Sequence, residues 1–98
     1  MRMMLTVQMP AAAANAAIRE GRLGKVLSET FERVKPEAAY FTAVNGCRGG
    51  YIVFDLRHPD DIPSICEPFF NELDAKVELA PVMTPEEVQS GLAKAYPK

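Results

Sequence analysis

Residues that build metal and redox centres are scarce in this chain. It has one histidine, His58, and two cysteines, Cys47 and Cys66, in 98 residues. A disulfide-stapled scaffold of this size carries more cysteines, and a structural zinc site needs more ligands than these. Two free thiols are the expectation, with Cys66 as a small apolar core residue. Glycine-rich phosphate loops, a His-Glu-x-x-His zinc helix, a Cys-x-x-Cys pair and a Gly-x-Ser-x-Gly elbow are all missing. No cofactor and no metal are expected, and no stretch spells out a catalytic motif.

An excess of positive charge is also lacking. Eleven Lys and Arg stand against thirteen Asp and Glu, for a net charge of −2. Phosphate backbones are bound by clustered cations that release counterions, so nucleic acid is not an expected partner. No apolar run approaches the roughly 20 residues of a membrane span. The start superficially resembles a leader peptide, but its apolar stretch, Met3 to Val7, is interrupted by Gln8 and Pro10 and is shorter than the about 7–15 residues of a secretory core. A cytoplasmic protein is expected. Repeats, low-complexity tracts and linkers are absent, and residues 1–98 fit one domain.

Periodicity is what the chain does have. Alternation from Met3 to Met9 predicts a strand that Pro10 stops. Ala11 to Glu20 predicts a short alanine-driven helix. Leu23, Val26, Leu27, Thr30, Phe31 and Val34 then form one helical stripe. A single helix over both would be about 37 Å long, so a break at Gly21 is expected, with Pro36 ending the second helix. Ala38 to Val44 and Gly49 to Leu56 read as a hairpin. Gly46 at the first central position of a type II′ turn, or a four-residue loop, sets Phe41 opposite Ile52, Ala39 opposite Phe54, Tyr40 opposite Val53 and Thr42 opposite Tyr51. Gly49-Gly50 suggests a bulge.

His58-Pro59-Asp60-Asp61 opens a further helix, with an aspartate as its N-cap. Ile62, Ile65, Cys66, Phe69 and Leu73 share its apolar face, and Pro68 predicts a kink or early end. Lys76 to Met83 is a fourth strand, with Pro81 pointing to a sheet edge. Thr84-Pro85-Glu86-Glu87 is a capping-box start for a weakly apolar closing helix, which is stable only if packed on something.

The order implies an α+β fold, a ferredoxin-like βαββαβ chain. Its four-stranded antiparallel sheet would carry the helices on one face, with a short C-terminal helix besides. Leu5, Val7, Phe41, Ile52, Phe54, Val77 and Leu79 would face the helices. The other face would carry Met4, Thr6, Gln8, Tyr40, Thr42, Tyr51, Val53 and Asp55. That face is too apolar for a solvated sheet, so a second copy is expected to cover it, making a homodimer.

The N-terminal strand, the Tyr40–Leu56 hairpin and the closing Val77-Glu78-Leu79-Ala80-Pro81-Val82-Met83-Thr84-Pro85-Glu86 segment resemble the dimeric α+β barrel group of ferredoxin-like proteins. That group includes muconolactone isomerases, cofactor-independent monooxygenases and small uncharacterised bacterial proteins, the last being the nearest in pattern. The resemblance implies fold and dimerisation, with no catalytic residue carried over.

Two functions follow as expectations. One is a non-enzymatic dimer that binds a small apolar molecule or a protein partner on the Tyr/Met/Thr face. The other is a cofactor-independent isomerase or monooxygenase in which Asp55, His58 or a tyrosine moves a proton. Its requirement is a pocket of roughly 300 Å³ or more lined by those residues. Burial beside Tyr51 and Tyr40 would raise the Asp55 pKa and suit it to that task, but solvation at the sheet edge is the simpler reading. Cys47, beside Arg48 at the hairpin tip, would be a reactive thiolate if the cation lowered its pKa, but a plain turn residue is the simpler reading.

Overall fold

A computed structural model describes all residues, Met1–Lys98. Alternating side chains make Arg2–Gln8 a strand, β1, buried at every second position. Pro10 starts the helix Ala11–Arg19, α1. The chain breaks at Gly21, whose φ of 75° lies in the left-handed region, and resumes as Arg22–Val34, α2. Strands Ala38–Val44, β2, and Cys47–Asp55, β3, form the hairpin. A 3₁₀ turn, Pro59–Asp61, leads into Ile62–Leu73, α3. Lys76–Pro81 is β4, and Pro85–Ala95 is α4.

All three strand pairings are antiparallel, and the sheet order is β2-β3-β1-β4. The first and third strands are therefore central, as the order of elements predicts. The connection through α1 and α2 and the connection through α3 each pass over one intervening strand. The architecture is α+β.

One face of the sheet holds the core. Leu5, Ile52, Phe54, Phe69 and Leu73 are fully buried, and side chains of α1, α2 and α3 complete the same cluster. Val26 and Thr30 are buried on the stripe of α2, and the Thr30 hydroxyl donates to the Val26 carbonyl at 2.7 Å. That bond satisfies a polar group which burial would otherwise leave costly.

The hairpin differs from expectation in register. Val44 pairs with Cys47, so the turn is Asn45-Gly46, with φ of 51° and 79°. Positive φ at both central residues is the type I′ signature, for which Asn-Gly is the preferred pair. Phe41 therefore faces Gly50, Ala39 faces Ile52, Tyr40 faces Tyr51 and Thr42 faces Gly49. The displacement is two residues, and a strand repeats every two, so each side chain keeps its face. β3 consequently starts at Cys47.

Gly49 and Gly50 pair regularly, with no bulge. A side chain at Gly50 would meet the Phe41 ring edge and the Tyr40 carbonyl, both at 2.6 Å, and one at Gly49 would strike the Val7 carbonyl. Their reason is close approach by neighbouring strands.

α3 also departs from expectation by running through Pro68 to Leu73. Proline removes the N–H that would bond the carbonyl four residues earlier, on Ser64. Arg33 of α2 supplies the missing donor, its Nη1 lying 3.0 Å from that carbonyl. Neither Asp60 nor Asp61 caps α3 through its side chain, so their contribution there is the favourable charge at a helix N-terminus alone. β4 ends at Pro81, two residues earlier than expected.

Candidate functional site

The face of the sheet away from α1–α3 lies bare. β1 presents Met4, Thr6 and Gln8 there, β3 presents Tyr51 and Val53, and β2 presents Tyr40 and Thr42, so the sheet gathers seven of the eight expected residues on one surface, with Asp55, the eighth, opposite Arg2 at its end. The register orders them in rows. Ala38, Val53, Met4 and Ala80 make an apolar row across all four strands. Tyr40, Tyr51, Thr6 and Glu78 form the next, and Thr42, Gly49, Gln8 and Lys76 the third. Gly49 leaves the third row without a side chain in its middle.

Neighbouring strands are about 4.8 Å apart, so the apolar row spans roughly 15 Å. Tyr40 is 72% exposed, which is a large aromatic surface for an uncovered sheet. Ala38 and Ala80 were not singled out by sequence reasoning, and Gly49 was read only as part of a bulge. Small residues carry no hydropathy signal of their own, and only the register lines them up.

Charge closes one end of this face. Arg2 lies opposite Asp55, and its guanidinium reaches Glu37 at 2.6 Å and Glu87 at 3.4 Å. Asp55 is exposed, the edge solvation that was the simpler reading, and the N-terminal ammonium of Met1 donates to it at 2.7 Å. That hydrogen bond and its charge hold the Asp55 carboxyl below its ordinary value, where burial beside the tyrosines would have raised it.

A cleft of about 690 Å³ opens at the same end of the molecule, between the close of α2, the segment following β3 and the start of α3. Asp55 and His58 both line it, together with Arg33, Lys35, Arg57 and Asp61 over a floor of Phe54 and Ile65. None of the three basic side chains takes part in an ion pair. Lys35 adopts a φ of 46°, a left-handed conformation that costs a non-glycine residue energy and ends α2 at the cleft wall. Of the residues that the enzyme expectation puts round one pocket, Asp55 and His58 line this cleft, whereas Tyr40 and Tyr51 do not and lie apart from both.

The thiols have structural places. Cys66 is buried, and desolvation pushes its pKa up, as befits an inert core thiol. Cys47 closes the hairpin turn, and the adjacent Arg48 donates to Asn15 at 2.7 Å, which ties the hairpin to α1. No three His, Cys, Asp or Glu side chains converge as metal ligands. No helix is long and apolar enough to cross a membrane. No model of a known protein family and no curated protein matches this sequence.

Proposed function

We propose that this chain is a ferredoxin-like subunit that closes with a second copy, sheet on sheet, into a dimeric α+β barrel. Between the two sheets it holds a small apolar molecule. The observation that carries this reading is the bare face, with its Ala38–Val53–Met4–Ala80 row beside the Tyr40–Tyr51 pair. The central placement of β1 and β3 supports the ferredoxin-like part.

The edges support closure. β4 carries Pro81 and the charges of Lys76 and Glu78, which blunt an edge strand. β2 is the other edge, reads Ala-Ala-Tyr-Phe-Thr-Ala-Val, and has neither charge nor proline along seven residues. An unprotected edge of that kind invites pairing, and a barrel removes it. Light scattering at micromolar concentration is expected to return twice the chain mass. Mass spectrometry of the purified dimer under native conditions is expected to show a bound small molecule. The mass of one chain would end the proposal.

A second reading rests on the cleft. Asp55 and His58 share a cavity above the size a small substrate needs, which suits a cofactor-independent isomerase or oxygenase with His58 as the proton carrier. A thermal-shift screen of enolisable and phenolic compounds tests it. Hits should perturb the His58 imidazole resonances and be lost in His58→Ala, and hits that leave both unchanged would refute this reading.

A further inference from the structure

We infer that α4 is an arm whose apolar stripe packs on a second copy of this chain, an inference that rests on the dimeric reading above. Every residue from Pro85 to Lys98 is exposed, and α4 has no extensive packing against any other element. Val88, Gly91, Leu92 and Ala95 recur at i, i+3, i+4 and i+7, a helical stripe with no buried member. Leu92 is 53% exposed and Tyr96, one turn on, 78%. Isolated helices shorter than about 12–15 residues are marginal in water, so an 11-residue helix with none of its residues buried needs cover.

The arm is set to project rather than fold back. Its first turn is held by the Thr84–Glu87 capping box, with Pro85 inside it, and Glu87 is tied to Arg2 at the charged end of the bare face. The molecule is accordingly elongated, 58 × 28 × 18 Å, with a radius of gyration of 15.6 Å, where a compact chain of this length has about 13 Å.

The surface area identifies the occupant. The chain exposes 6656 Å², whereas a compact monomer of its mass exposes about 5,500 Å². The excess, roughly 1,100 Å², is of the size each partner buries in a specific protein–protein interface, about 800 Å² or more. Charge favours a copy of the same chain. α4 has Glu86 and Glu87 at its start and Lys94 near its end. A two-fold arrangement that runs two such helices in opposite directions sets unlike charges together.

The test replaces Gln89, beside the stripe, with a benzophenone amino acid in the full-length chain. Equal amounts of ¹⁵N-labelled and unlabelled protein are mixed, irradiated and analysed by mass spectrometry. Cross-linked peptides of mixed isotope are expected, and the variant Val88→Glu/Leu92→Glu is expected to dimerise at least tenfold more weakly. Those two side chains lie outside the core, so circular dichroism should show an intact sheet in the variant. A wild-type dimer giving only single-isotope products, with unchanged affinity in the variant, overturns the arm alone. A wild-type chain that sediments as a monomer overturns the dimer and the arm together.

Discussion

Pro68 and Arg33 show how a local defect is repaired by a side chain far away in sequence. Proline leaves the Ser64 carbonyl without its helical donor, and a guanidinium from α2 fills the position at 3.0 Å. Arg33→Ala should therefore cost about 0.5–1.5 kcal/mol, the usual net value of one hydrogen bond. In a Pro68→Ala background the Ser64 carbonyl regains an amide donor, and the same Arg33 change should become nearly silent. Urea unfolding of the four proteins in this cycle measures the coupling. Equal costs in both backgrounds would refute the repair. Pro68 was visible in the sequence as a helix breaker. Its remedy was not, because Arg33 meets it only after α2 and α3 pack.

Among the elements, α4 has the clearest local signal and the least tertiary support. Thr84 accepts from the Glu87 amide at 3.2 Å, and the Glu87 carboxylate accepts from the Thr84 amide at 2.9 Å. These bonds, with a smaller contribution from Arg2, hold the Glu87 pKa below its ordinary 4.5. A carboxyl whose pKa falls on folding adds stability above its unfolded pKa and loses it as pH drops through the folded value. Helicity of Val88–Ala95, followed by backbone chemical shifts, should hold at pH 6 and decline below about 4.5. Glu87→Gln keeps an acceptor but cannot titrate, so its α4 should lose that acid sensitivity. Thr84→Ala should weaken the helix by about 1 kcal/mol at any pH.

The hairpin carries the opposite lesson at the same scale. Asn45-Gly46 was in plain sight, yet Gly46 also suits the first position of a different turn. Choosing between two-residue turns one position apart depends on the strand pairing that follows. Here Phe41 lies over Gly50, where any other residue would clash.

Across the whole molecule, the division of the sheet into a packed face and a bare one governs every functional statement. Val53 sits on a central strand in the middle of the apolar row, half-buried in the lone chain. Val53→Asp should leave the fold intact, since the carboxylate can reach water in a monomer. In a sheet-on-sheet dimer the same charge would be buried without a partner, which is strongly unfavourable. Sedimentation of this variant should show a monomer with the circular dichroism of the wild type, and a dimer of unchanged affinity would remove the bare face from the interface. Phe69→Ala, by contrast, empties the core on the other face and should cost about 3–5 kcal/mol in either oligomeric state, as read from thermal unfolding.

Hydrophobic periodicity was enough, within the chain itself, to establish four strands and the two sets of side chains on the two sides of the sheet, and helix length with Gly21 gave the break in the first helical segment. The periodic features repeat every two or 3.6 residues, so they are written locally. Only the folded chain decided the hairpin register, the ionised and exposed state of Asp55, the shared cleft of Asp55 and His58, and the projection of α4. Each depends on groups brought together across many residues, such as the Met1 ammonium on Asp55 and Arg2 on Glu87. Local pattern records which way a side chain points, and tertiary structure determines what it meets there.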